Sequence, residues 1–257
     1  MHRSTLAQAI AASVANRGDV IYLMAGHVET VAGAYTINKA GVQIFGLGAG
    51  SNRPTFTLSA TTSVFNVSAA NVTFRNILIT STIAAVVKAF NVTAANVTFD
   101  GVDYQEDGTT DLLQFILTSA AADFLTVKNC KWYRDTTSAS SVSAWIGLVG
   151  ADYCEIVDNY LTLKGTAANS ADGFVVGATT LSKSVHIARN AVIITVSTGA
   201  VPISLLANST GIVHDNRVSS AKTAVAGSVA LASAFGHNNL ANNTVNTSGL
   251  LDPVVDT

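Results

Sequence analysis

Residues 65–74 read FNVSAANVTF, and residues 90–99 read FNVTAANVTF, 25 positions later. Nine of the ten positions are identical, and the tenth is Ser68 against Thr93. So short a period does not come from two ordinary globular domains. It specifies a repeat architecture, in which one small unit buries its apolar side only by stacking on the next.

The two segments belong to a longer series. VTFRNILI starts at Val72, VTFDGVDY at Val97, LTVKNCKW at Leu125 and EIVDNYLTL at Glu155. VHIARNAVII follows at Val185, IVHDNRV at Ile212 and LANNTV at Leu240. Each has a few alternating apolar and polar residues, then Asn or Gly, then a second alternating run. Alternation marks strands, and Thr, Val and Ile suit them. Asn and Gly tolerate the left-handed backbone of a tight corner. The expected corner residues are Asn76, Gly101, Asn129, Asn159, Asn190, Asn216 and Asn243, spaced 25, 28, 30, 31, 26 and 27 apart. Stacked Asn side chains at such corners are expected to hydrogen-bond to one another. VQIFGLG, with Gly46, and DVIYLMAG extend the series upstream.

The pattern predicts an all-β fold: a single parallel β-helix of about nine coils over residues 19–257, with an aliphatic stack inside. Residues 1–18 are expected to form a capping helix, with Ser4 as N-cap, Leu6, Ile10 and Val14 on one face and Gly18 as stop. Such a helix covers the unpaired strand edges at the open end of a solenoid. The basic start and Ala-rich run also allow a signal peptide, although Gln8 interrupts the apolar stretch.

Apolar residues make up 49% of the chain and charged residues only 12%, with a net charge of −2. That balance gives no bulk field to attract nucleic acid or an anionic membrane, and no apolar run reaches the ~18 residues of a membrane span. Cys130 and Cys154 make neither a metal motif nor a disulfide framework and read as small buried residues. No cofactor motif is present.

The opening TLAQAIAASVANRGDVIYLMAGHVETVAGAYTINKAGVQIFGLGAG resembles that of right-handed β-helix proteins of the pectin-lyase-like superfamily. The matching residues are Gly18, Asp19, Ile21, Tyr22, Leu23 and Gly26, then Gly41, Val42, Gly46 and Gly48. The resemblance implies a right-handed coil. It leaves function open, because that superfamily includes lyases, hydrolases, phage tailspikes and non-catalytic virion proteins.

The residue before each corner alternates in sign: Arg75, Asp100, Lys128, Asp158, Arg189 and Asp215. Stacked coils would bring these together as a ladder of ion pairs, worth about 0.2–1 kcal/mol each. A groove for a polyanion would carry one sign. The hydrolase branch of the family is expected to show paired aspartates and an Arg-x-Lys motif. This chain has only ADGF with Asp172 and FGHNN with His237. An acidic group (Asp100, Asp103, Glu106, Asp107 and Asp111) is a candidate calcium site, with Asp103, Glu106, Asp107 and Asp111 as ligands, against the reading of a solvated loop. The run HDNR from His214 to Arg217 contains acid–base residues, but strand alternation is expected to send neighbours to opposite faces. Tyr104 and Trp132 fall three residues past the corner in adjacent coils and are candidates for glycan contact, against the reading that they seal a loop onto the rod.

The expected role is that of a non-catalytic structural subunit of a larger assembly. The chain would be a phage virion protein, a capsid decoration or tail-associated rod assembled in the host cytoplasm, packed as a trimer against other shell proteins. The alternatives are a polysaccharide lyase, hydrolase or depolymerase fragment, and a carbohydrate-binding adhesin, either of them secreted or at the cell surface.

Overall fold

The computed structural model describes residues 2–106, 112–135, 144–164, 173–177, 179–194, 202–206, 208–220, 229–230, 235–237 and 240–243. It is an all-β parallel solenoid with one short N-terminal helix. Strands form a 16-stranded sheet and an 8-stranded sheet, with parallel pairing between successive coils. The larger sheet bends along its length into two faces, because Thr73–Ser81 and Thr98–Gln105 run through the corner and belong to both. The first face includes Val20–Leu23, Gln43–Gly46, Thr126–Lys128, Glu155–Val157, Val185–Ala188 and Gly211–His214. The second includes Val28–Val31, Thr55–Leu58, Lys131–Asp135, Tyr160–Lys164, Ala191–Ile194 and Arg217–Ser220. The smaller sheet is the third face. Among the described residues the third face stacks eight strands, fewer than the nine coils expected from the sequence.

The repeated decapeptide is one coil lying on its own copy. Phe65 pairs in register with Phe90, Asn66 with Asn91 and Val67 with Val92, then Thr73 with Thr98 and Phe74 with Phe99. Like side chains therefore meet. Phe65 stacks on Phe90 at 5.1 Å between ring centroids, and Phe74 on Phe99 at 5.3 Å. Asn91 donates to Asn66 across 3.3 Å. Aromatic pairs of this kind add about 0.5–1.5 kcal/mol beyond the area they bury.

The interior is the aliphatic stack expected, mostly Val, Ile and Leu, with an aromatic run threaded along it. Its largest buried apolar side chains are Trp132, Trp145, Tyr104 and a run of phenylalanines. These touch in sequence along the rod, from Phe56 through Phe65, Phe90, Phe115 and Trp132 to Phe174. Most of the few aromatics lie inside, where each buries most area. Cys130 and Cys154 are buried free thiols, as expected, and burial pushes both thiol pKa values up, that of Cys154 to about 12.

The helix, α1, spans Leu6–Ala12 and lids the first coil with Leu6 and Ile10. Its details differ from the sequence reading. Thr5, not Ser4, is the N-cap, its hydroxyl accepting from the Gln8 N–H, and the helix ends at Ser13, well before Gly18. Val14 consequently falls outside the helix and is exposed. The lid is latched by the buried Glu29, whose carboxylate accepts from the Leu6 N–H at 2.9 Å and from the Tyr35 hydroxyl at 2.8 Å. His27 Nε2 lies 3.0 Å from the same carboxylate. Burial, aided by the Glu29 hydrogen bond, pushes the Tyr35 hydroxyl up to about 12.

Candidate functional site

The corner between the first and second faces carries most of the residues singled out by sequence. It divides into two halves. In the lower coils Asn76, Gly101 and Asn129 have φ of 54°, 64° and 55°, so they are the left-handed corners expected. In the next three coils the positive φ belongs to Asp158, Arg189 and Asp215 instead, at 59°, 55° and 53°. The strand register explains the change. Lys128 pairs with Val157, which aligns Asn129 with Asp158 and Cys130 with Asn159. Asn159, Asn190 and Asn216 therefore sit one step past the corner, pointing inward and buried, where the lower coils hold Ile77, Val102 and Cys130.

Those three asparagines form the ladder that Asn repetition predicted, but inside the rod. Asn190 Oδ1 accepts from the Asn159 N–H and from Asn159 Nδ2, both at 3.0 Å. Asn190 Nδ2 donates to Ile156 O and to Asn216 Oδ1, both at 2.9 Å. At the seam, the Cys130 N–H donates to Asn159 Oδ1 at 3.0 Å. Asn129 stays outside, donating from Nδ2 to Asp100 at 2.8 Å. Asn243 is not a corner: it ends the strand Leu240–Asn243 and pairs with Ser220. Gly46 does align with Asn76, and only glycine fits there, because a Cβ would collide with the Asn76 carbonyl oxygen.

The charge column is broken at the same seam. Arg75 pairs with Asp100 at 3.6 Å, and Asp100 aligns with Lys128. Lys128 does not align with Asp158. Above the break, Arg189 grips Asp158 with two hydrogen bonds of 2.7 and 2.8 Å, which holds the Asp158 carboxyl below its usual range.

The acidic group does not gather as a calcium site in its described part. Asp103 is bound to Arg53 at 2.6 Å and accepts from the Lys131 N–H at 2.7 Å, while Glu106 points into the rod and is buried. Asp107 and Asp111 lie outside the described residues, as does Asp172 of ADGF. Among the described residues no three His, Cys, Asp or Glu side chains converge as a metal site.

Tyr104 and Trp132 do not face a glycan. They are adjacent in register, as expected, but both point inward and are 1% and 0% exposed. Trp132 Nε1 donates to Val102 O at 3.1 Å. A different aromatic pair is outside. Phe124 and Tyr153 are 50% and 54% exposed, with ring centroids 4.9 Å apart and planes within 8°. They occupy a second left-handed corner, with φ of 59° and 58°, in a column begun by Asn71 and Asn96. That column is legible as the residue two positions before the strands that start at Thr73, Thr98, Thr126 and Glu155. Bulky residues adopt such φ values only at a cost of about 1–2 kcal/mol.

One further cluster lies on the first face. His186 Nε2 and His214 Nε2 are 2.9 Å apart, with ring centroids 5.1 Å apart and planes within 18°, so the rings meet end to end through these nitrogens. His214 Nδ1 meets Asp215 Oδ2 at 2.7 Å, and His186 Nδ1 lies 3.4 Å from Glu155. His214 and Asp215 meet although they are sequence neighbours. The left-handed turn at Asp215 cancels the strand alternation that would have separated them.

No family model matches the chain, and no curated protein or solved structure matches it.

Proposed function

We propose that the chain is a non-catalytic structural subunit, a β-solenoid rod that acts by packing against copies of itself within a larger assembly. A virion setting, as a capsid decoration or tail-associated trimer, is favoured by the low share of charged residues, 12%, which suits lateral packing against neighbours. The observation that carries the packing reading is an apolar patch on the outer side of the first two coils. Tyr22, Met24 and Leu47 are exposed there, at 59%, 60% and 39%, and Tyr22 meets the half-buried Phe45 edge-on in the neighbouring strand. Contiguous exposed apolar residues on an otherwise Thr- and Ser-rich surface mark an interaction site. Light scattering on the purified chain tests the reading. A trimer that Met24→Lys dissociates supports it; a monomer at all concentrations refutes it, and a trimer indifferent to Met24→Lys refutes the assignment of this patch.

Carbohydrate binding is a second reading, favoured by the exposed, strained Phe124–Tyr153 stack. A flat aromatic pair is the surface a sugar ring packs on. Glycan-array binding that Tyr153→Asn abolishes would favour it over the packing role.

A further inference from the structure

The histidine pair on the first face is built for a cation. Asp215 accepts the Nδ1 proton of His214 at 2.7 Å, which leaves His214 Nε2 with a bare lone pair in the neutral ring. That lone pair points at His186 Nε2, only 2.9 Å away. The other nitrogen of His186 faces the Glu155 carboxylate at 3.4 Å, so it too is best served by a proton on Nδ1. With both Nδ1 atoms protonated, two lone pairs confront each other across the gap. In the metal-free chain one ring relieves this by carrying its proton on Nε2 and donating it to the other; a metal ion relieves it with both rings keeping their protons on Nδ1. Carboxylates that hold Nδ1 and aim Nε2 are the usual outer partners of metal-binding histidines.

We propose that His186 and His214 bind a divalent first-row transition metal through their Nε2 atoms, with Asp215 and Glu155 orienting the rings and water completing the coordination. The spacing also selects among metals. At ordinary metal–nitrogen distances of about 2.0–2.1 Å, nitrogens this far apart subtend about 90° at an ion lying to one side of the line between them, so binding requires both rings to rotate and turn their lone pairs onto it. Such an angle is that of a cis pair in square-planar, tetragonal or octahedral geometry, which suits Cu²⁺ and Ni²⁺ better than tetrahedral Zn²⁺. The site is open to solvent, with the two side chains 37% and 26% exposed, so an ion enters without opening the rod. It sits on two stacked parallel strands, Val185–Ala188 and Gly211–His214, whose pairing fixes the spacing. Nothing in this proposal depends on the packing role of the chain.

The test is titration of the full chain with Cu²⁺, followed by calorimetry and by electron paramagnetic resonance. It is run in a His2→Ala background, because a histidine beside the chain terminus can bind copper itself. One ion per chain with a two-imidazole signature is expected. His186→Asn and His214→Asn should each lower affinity by at least tenfold and reduce the signature to one nitrogen. Asp215→Asn, which tolerates the left-handed backbone there, should weaken binding about 10–100-fold while leaving both nitrogens bound. Circular dichroism of each variant, unchanged for these outward side chains, separates lost ligands from lost fold. Absence of Cu²⁺ and Ni²⁺ binding by the folded chain overturns the proposal, as does binding that survives both histidine substitutions.

Discussion

Asn190 is the centre of the internal ladder, and removing its side chain tests what the ladder contributes. Asn190→Ala deletes four hydrogen bonds of 2.9–3.0 Å. Two partners keep something. Asn159 Nδ2 still donates to Val127 O at 3.0 Å, and Asn216 Oδ1 still accepts from the Asn190 N–H at 3.0 Å. The Asn159 N–H does not: its single hydrogen is left pointing into a buried space. One orphaned buried donor costs about 1–3 kcal/mol, and the other lost bonds add about 0.5–1.5 kcal/mol each, partly offset by their remaining partners. The expected loss is about 3 kcal/mol. For a chain of this size that is roughly 6–12 °C in melting temperature. Asn129→Gly is the control. It removes an exposed hydrogen bond at a corner whose φ suits glycine, and should change stability by no more than about 0.5 kcal/mol. Thermal and urea melts followed by circular dichroism read both. If Asn190→Ala melts within about 2 °C of the parent, or Asn129→Gly falls as far, the inside-versus-corner distinction is wrong.

Glu29→Ala should unlatch α1, leaving the Tyr35 hydroxyl and the Leu6 N–H without their carboxylate. Hydrogen exchange should rise several-fold over residues 6–12 and stay unchanged beyond the second coil; uniform protection would refute the latch. Because the Tyr35 hydroxyl is raised to about 12 in the fold, its neutral form contributes stability that is complete below the unfolded value near 10 and lost as pH climbs through about 12. Spectrophotometric titration should show that step moving down in Glu29→Ala. Asp158 works in the opposite sense. Its carboxyl is lowered by the Arg189 hydrogen bonds, so its contribution is present above about pH 4 and disappears as pH falls through that range. Exposure of both partners keeps the effect small, and the melting temperatures of the parent and Asp158→Asn should converge at low pH. Phe124→Asn restores the residue type of Asn71 and Asn96 at that corner and should raise stability by a few tenths to about 1 kcal/mol; a fall would show that the exposed ring stack outweighs the backbone strain.

Much of the fold could be read because the chain repeats itself. The doubled decapeptide, the alternation after Val72 and Val97, and the left-handed corners at Asn76, Gly101 and Asn129 all follow from local patterns. The reading slipped by one residue after Lys128 because Asn suits two environments: an exposed left-handed corner and an interior amide ladder. Aligning coils on Asn therefore merged two different positions. The alternation of Asn159, Leu161 and Leu163 on the buried side was the signal that separates them. Tyr104 and Trp132 were misjudged for a related reason. Adjacency in neighbouring coils says that two side chains share a column, but parity along the strand decides whether that column is inside or outside; these two lie inside and meet through Phe115 and Trp145. The histidine pair was hidden by spacing, since residues 186 and 214 become neighbours only through strand register.

The seam at Cys130 and Asn159 has a consequence for how such a rod could grow or be rebuilt. Coils below it are interchangeable in principle, since Ile77 and Val102 present the same oily step to whatever lies above. Coils above it are not, because each interior amide needs another amide, or a main-chain donor, on both sides. A duplicated or transplanted coil would therefore be accepted readily in the lower half, where the near-identical decapeptides already lie. In the upper half a foreign coil would have to bring its own asparagine. The chain thus carries two grammars of extension, and among the described residues they join where a cysteine main-chain N–H answers an asparagine.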